Sequence, residues 1–220
     1  MRKKNVLVAA ALVAAATLTL SACGGDTAKD GGQSVADVST PTKAKAATVL
    51  DRPYTKPNLV LTDTHGKSYD LREATKGKPT LLYFGYTHCP DVCPLTMSNI
   101  AVAYKKLSKA DQEKLQVVFV TTDPKRDTPQ ELTKWLKGSG SPDFIGLTGD
   151  FPTIQAGARQ IGVSIEPSTT DKQGNVTSMH SKQVIAFSPK TDAGYLLYTD
   201  EATPEDYTAD LPKIVKGENP

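Results

Sequence analysis

The sequence predicts an α/β fold, a central mixed β-sheet with helices on both faces, and three observations carry that prediction. Pro79-Thr80-Leu81-Leu82-Tyr83-Phe84 and Val117-Val118-Phe119-Val120 are apolar runs of strand length, and the second is apolar on both faces, as suits a central parallel strand under helices. After each of them, apolar side chains recur at helical spacing. Toward the C-terminus, Gln183 to Phe187 and Tyr195 to Tyr198 alternate like an antiparallel pair, which makes the sheet mixed.

Taken in chain order, Leu59 to Thr62 and Ser68 to Leu71 flank Asp63-Thr64-His65-Gly66 as the arms of an N-terminal β-hairpin flank their turn. The Pro79 to Phe84 strand leads directly into Gly85-Tyr86-Thr87-His88-Cys89. Met97, Ile100, Ala101, Tyr104 and Leu107 then fall at helical spacing, so a helix covers one face of the sheet. The Val117 to Val120 strand runs into Thr121-Thr122-Asp123-Pro124-Lys125-Arg126-Asp127-Thr128-Pro129. There Thr128 and Glu131 make a capping box and Pro129 suits the first helical position, starting a helix that carries Leu132, Trp135 and Leu136 inward. Phe144 to Leu147 is expected as a short strand, Pro152 to Ile161 as a helix and Val163-Ser164-Ile165 as another strand. Ser168 to Ser178, polar with Gly174-Asn175, is a loop or a protruding hairpin. Thr203-Pro204-Glu205-Asp206 starts a last helix, which Pro212 is expected to interrupt or end. The order βαβ, βαβ, ββα predicts a thioredoxin-like fold.

The N-terminal region places this fold in a compartment. Arg2, Lys3 and Lys4 precede an uncharged run of 15 residues, Val6 to Leu20, and Leu20-Ser21-Ala22-Cys23 closes it with small residues before a cysteine. That is a bacterial lipoprotein signal, too short for the roughly 20 residues of a membrane-spanning helix. Residues 1–22 are therefore expected to be cleaved, with Cys23 the lipid acceptor and the mature chain anchored on the extracytoplasmic side of the cell membrane. Cleavage removes three cations and no anion, leaving 23 Lys+Arg against 24 Asp+Glu, and nothing in that balance suits a nucleic-acid partner. Residues 23–52 comprise Cys23 and a disordered tether of small and polar residues. Residues 53–217 are one domain's worth of chain, and 218–220 form a tail.

Apart from Cys23, the only cysteines are Cys89 and Cys93, in Phe84-Gly85-Tyr86-Thr87-His88-Cys89-Pro90-Asp91-Val92-Cys93-Pro94. Two thiols at a strand-to-helix junction face the amide N–H groups of the first helical turn, which favour the thiolate. Thiolates are soft ligands and nucleophiles, so the pair points to copper, zinc or thiol redox chemistry.

These residues, together with Thr122-Asp123-Pro124-Lys125-Arg126-Asp127-Thr128-Pro129 and a single His180 before a core strand, closely resemble the Sco/SenC family across the whole mature domain. The resemblance implies a thioredoxin-fold metallochaperone, not an enzyme, that binds one copper ion, Cu(I) or Cu(II), through Cys89, Cys93 and His180. It further implies delivery of copper to, or preparation of, the dinuclear CuA site of cytochrome c oxidase. The partners would be the oxidase copper-site subunit and another extracytoplasmic copper chaperone. The family's aspartate before the histidine is replaced here by Met179.

The residues support copper on their own terms. Two thiolates and one imidazole suit trigonal Cu(I), whereas structural zinc wants a fourth ligand, and neither His88 nor His65 is well placed to be one. In a thioredoxin-like topology the loop before the Gln183 strand passes beside the helix that starts at the cysteines, bringing His180 to them across 87 residues from Cys93. The main rival is a membrane-anchored thiol-disulfide oxidoreductase that keeps the cysteines of a copper-site partner reduced, with Cys89 and Cys93 as its redox pair. Against general exchange stand three residues between the cysteines, His88 where such enzymes carry Trp, and no Pro from Ser168 to Ser188. A structural disulfide across so short a loop would contribute little. A peroxiredoxin would need Thr or Ser where Tyr86 stands. Asp123 to Pro129 is expected mainly to end a strand and cap a helix, with Arg126 pairing Asp123 or Asp127, and otherwise to form a rim beside the site.

Overall fold

The computed structural model describes residues 46–220, so the signal segment, Cys23 and the tether up to residue 45 lie outside the described residues. Ten strands occur in this part: β1 (Ala47–Thr55), β2 (Val60–Asp63), β3 (Ser68–Asp70), β4 (Thr80–Gly85), β5 (Gln116–Thr121), β6 (Ile145–Thr148), β7 (Thr169–Thr170), β8 (Val176–Thr177), β9 (Val184–Phe187) and β10 (Ala193–Tyr198). Six helices accompany them: α1 (Leu71–Ala74), α2 (Val92–Tyr104), α3 (Lys109–Lys114), α4 (Pro129–Ser139), α5 (Phe151–Gln160) and α6 (Pro204–Lys216). Eight strands form one sheet in the order β1-β10-β9-β4-β5-β6-β2-β3, and β7 and β8 form a separate small hairpin. β4, β5 and β6 are parallel and the other pairings antiparallel, so the sheet is mixed and the fold thioredoxin-like.

Strand alternation splits the core cleanly. Leu81, Tyr83, Val117, Phe119, Val184 and Ala186 face one layer, packed with Met97 and Ile100 of α2, Leu132 and Leu136 of α4, and Leu211 and Ile214 of α6. Leu82, Phe84, Val118, Val120, Ile185 and Phe187 face the other, with Ile154 and Ala158 of α5 and Leu71 of α1. Central strands covered on both sides must be apolar at every position, which is why β4 and β5 stand out in the sequence.

Four local expectations are corrected. The tether is expected to run through Arg52, but β1 begins at Ala47 and pairs with β10 from Ala47↔Tyr198 to Thr55↔Ala193, with a register shift between Val49 and Tyr54. β1 is an edge strand, so it accommodates Pro53, and most of its side chains are exposed. The hairpin of β2 and β3 is consequently not the first element, and it sits on the opposite edge of the sheet. Val163-Ser164-Ile165 is no strand: Val163 and Ile165 are buried, but the Ile165 carbonyl accepts from Gln155 Nε2 at 2.7 Å instead of joining a ladder. Finally, α6 continues through Pro212 to Lys216, because Leu211, Ile214 and Val215 are buried on either side of it. That burial outweighs the lost backbone bond. The helix ends instead at Gly217, in the left-handed region with φ 67°.

Candidate metal centre

β4 delivers the chain to the site. It ends at Gly85, whose carbonyl accepts from Thr122 N–H at 2.6 Å, and the connection to α2 carries Cys89. Asp91 caps α2, its carboxylate accepting from Val92 N–H at 2.6 Å, and Cys93 then stands in the first turn. No room is spared there. A Cβ on Gly85 would lie 2.8 Å from Cys93 Sγ and 2.8 Å from Phe119 Cε2.

His180 arrives from the other direction. β9 pairs with β4, Val184 opposite Tyr83, so the residues just before β9 emerge at the end of the sheet where β4 releases the cysteine loop. Ser181 N–H donates to the Phe84 carbonyl at 3.0 Å and fixes that approach. The His180 Nδ1 lies 2.7 Å from the Ser181 carbonyl oxygen, which can only accept. Nδ1 therefore carries a hydrogen, and Nε2, the nitrogen left for a metal, faces Cys89 Sγ at 3.8 Å. Tyr86 lies against the ring, with centroids 5.6 Å apart.

The donor atoms of Cys89, Cys93 and His180 all lie within 4.8 Å of one another, the one such group of three or more among the described residues. Sulfur at about 2.3 Å and nitrogen at about 2.0–2.1 Å from a common cation in a trigonal plane would stand about 3.8 Å apart. The observed sulfur-to-nitrogen separation fits that requirement. Both thiols are free and buried. They are nevertheless unequal.

The Cys89 thiol is lowered to about 5, chiefly by the hydrogen bond from the Cys93 thiol and against the cost of burial, with further help from the Cys93 and Asp91 backbone N–H groups and the His180 ring. Cys93 N–H lies 3.3 Å from Cys89 Sγ. The Cys93 thiol is raised, because it donates its proton to Cys89 and is buried, even though Tyr83 OH donates to its sulfur at 3.4 Å. The pair thus shares one proton, which rests on Cys93. In the metal-free protein Cys89 is expected to react with iodoacetamide in its thiolate form at every pH above about 5, and Cys93 to stay unreactive at neutral pH. Peptide mass mapping across pH 4–8 checks this, and equal labelling of both cysteines would contradict it.

The comparisons with known proteins meet this geometry. The SCO1/SenC family model matches residues 48–216. The chain belongs to the SCO1/SenC family. It is 35% identical over 141 residues to a Stutzerimonas stutzeri protein named for copper binding, covering 64% of this chain and 68% of that one. It is 40% identical over 96 residues to mitochondrial Sco2 of Saccharomyces cerevisiae, covering 44% of this chain and 31% of the yeast protein. The solved structure of Bradyrhizobium japonicum ScoI with copper bound superposes with a TM-score of 0.61 at 32% identity, over 74% of this chain and 98% of that one.

In this SCO1/SenC chain the other histidines stand apart from the trio. His88 turns outward, its Nδ1 3.0 Å from Thr87 Oγ1, and His65 is exposed in the β2–β3 turn. Met179 is 48% exposed on the rim. Sequence reasoning missed the groups that hold the site. Asp127, fully buried, accepts from Thr87 N–H at 2.9 Å, Thr87 Oγ1 at 2.6 Å and Thr121 Oγ1 at 2.6 Å. Asp123, also buried, pairs with Arg126, as one of the two expected pairings has it, and accepts from Ser178 Oγ at 3.0 Å. The signal was present as two acids after a strand. Nothing in the pattern says that they point inward.

Proposed function

We propose that this chain is a copper metallochaperone of the extracytoplasmic face, in which the Cys89 and Cys93 thiolates and His180 Nε2 hold one copper ion for delivery to, or preparation of, the dinuclear copper site of cytochrome c oxidase. The observation that carries the reading is the convergence of two sulfurs and one imidazole nitrogen within 4.8 Å. Soft sulfur donors with a single nitrogen select copper over hard cations, and a group of three leaves structural zinc one ligand short. Family membership and the copper-bound ScoI structure support the same reading. Bound copper supplies exchange between two oxidation states and rapid ligand substitution. The protein's own part is to present Cys89 as a thiolate, to orient His180 through the Ser181 carbonyl, and to keep Cys93 buried beneath both.

Anchoring through Cys23 after removal of residues 1–22, with the following chain as a tether, belongs to this reading. Among the described residues no helix is long and apolar enough to cross a membrane. The asymmetry of the two thiols favours a second activity at the same place: a low-lying Cys89 thiolate backed by a protonated Cys93 is the arrangement that attacks and resolves a partner's disulfide. Keeping the recipient's cysteines reduced would therefore use the same pair in its copper-free state.

Titrating the reduced protein with Cu(II) tests the main reading. One equivalent should bind, with intense sulfur-to-copper charge-transfer absorption, because the thiolates are direct ligands. A complex showing only weak d-d bands would exclude this coordination.

A further inference from the structure

The buried acids of the turn between β5 and α4 are explained by neither stability nor the ligand set. Asp127 is 0% exposed and receives three hydrogen bonds, two of them from Thr87, two residues before Cys89. The His88 ring, half exposed, has its Nδ1 3.7 Å from Oδ1. A carboxylate buried among hydroxyl and amide donors is costly to desolvate, and replacing it by an apolar latch would hold a loop as well. Asp123, 1% exposed, holds the other side: Ser178, two residues before His180, donates to it at 3.0 Å, and Arg126 pairs with it while its Nη2 reaches Ser178 Oγ at 3.5 Å. Ser168 closes the group, its hydroxyl 2.8 Å from that of Ser178. Thr121 joins the two acids, giving its hydroxyl to Asp127 and accepting from Asp123 N–H at 2.9 Å.

One short segment thus grips both ligand-bearing loops. We propose that Asp127 is a positioning residue, which acts through Thr87 to set the place of Cys89 opposite His180, with Asp123 setting the His180 side through Ser178. The directionality of the bonds to Asp127 is the argument. Two donors of one residue converge on its two carboxylate oxygens, which fixes Thr87 in rotation as well as in position, and the chain continues from there through only His88 to the ligand sulfur. The other end of the same loop is fixed independently, by Cys89 N–H donating to the Tyr86 carbonyl at 3.3 Å. The site geometry is therefore built before the metal arrives.

This inference rests on the copper reading, and the test separates the two. In the full chain, reduced and held in detergent, Asp127→Asn, Thr87→Val and Thr87→Ser are compared with the parent. Cu(I) affinity is read by competition with bicinchoninate, the Cu(II) charge-transfer band by absorption, and the rates of alkylation of Cys89 and Cys93 in the metal-free protein by mass spectrometry. Asp127→Asn and Thr87→Val should each lower Cu(I) affinity at least tenfold, as loss of a group that orients a ligand does, and displace the band. Thr87→Ser, which keeps the hydroxyl, should stay close to the parent. The rate for Cys89 should change relative to that for Cys93. General loosening would raise both rates together, and that result, or parent-like affinity and band in both variants, would overturn the proposal. Should Asp127→Asn fail to fold, Thr87→Val decides alone, because Asp127 keeps its bonds from Thr121 and the Thr87 amide. Should the parent bind no copper, the copper reading falls and the alkylation ratio alone decides the positioning role.

Discussion

Replacing His180 with alanine is expected to lower copper affinity by more than the 10 to 100-fold typical of groups that merely orient a ligand, about 2 kcal/mol or more. The ring is the single nitrogen donor of the trio, and two sulfurs alone leave the cation under-coordinated. The fold should survive, because His180 is only partly buried and its ring's hydrogen-bond contacts are the neighbouring Ser181 carbonyl and the Cys89 sulfur of the site itself. Both thiols should remain able to form a disulfide. The variant therefore distinguishes copper binding from thiol exchange, which neither cysteine replacement can do. Competition titration together with the Cu(II) spectrum measures the effect. An unchanged affinity and spectrum would remove His180 from the ligand set.

The second large effect is expected at Gly85. An alanine Cβ there would meet Cys93 Sγ and Phe119 Cε2 at 2.8 Å and Tyr83 Cε1 at 3.1 Å. Real Cβ atoms do not approach so closely, so something must move. Phe119 is fully buried on β5 and packed between the tilted rings of Tyr83 and Trp135, with centroids 5.9 and 4.7 Å away, and cannot retreat cheaply. Gly85→Ala should therefore cost about 1–3 kcal/mol of stability as overpacking does. It should also displace Cys93, weakening copper binding in the same variant. Gly138 in α4 is the control: nothing lies within 4 Å of its added Cβ, and Gly138→Ala should leave copper binding unchanged while stabilising by about 0.4–1 kcal/mol. Urea unfolding followed through the single Trp135 reads both. Equal midpoints for the two variants would contradict the packing argument.

What was legible in the sequence follows from what produces a pattern. Burial on both faces writes itself as continuous apolar sequence, so β4 and β5 could be read directly. β1 could not, because only Ala47 of its nine residues is buried, and an exposed edge strand leaves no alternation to find. α3 has no buried residue and escaped notice for the same reason, although Ser108 caps it by accepting from Asp111 N–H. Val163 and Ile165 show the converse: alternation reports burial, and burial does not require a ladder. At the site, the cysteines declared themselves by spacing and His180 by the topology that brings the start of β9 to the end of β4. Asp127, Asp123 and Tyr83 did not, since their importance lies in where their donors and acceptors point.

The strand that the pattern concealed fixes the end of the sheet from which the N-terminal segment departs. β1 runs antiparallel to β10, and its first residue, Ala47, stands opposite Tyr198, which in turn stands opposite Val184 at the start of β9. Ala47 therefore lies at the same end of the sheet as the cysteine loop and His180. A lipid at Cys23 would pull on that end. The 23 residues from 24 to 46 reach at most roughly 80 Å when straight, shorter than a leash ending at Arg52 would allow. Were Cys23 anchored as proposed above, the leash would draw on the ligand end of the sheet and not on the opposite end.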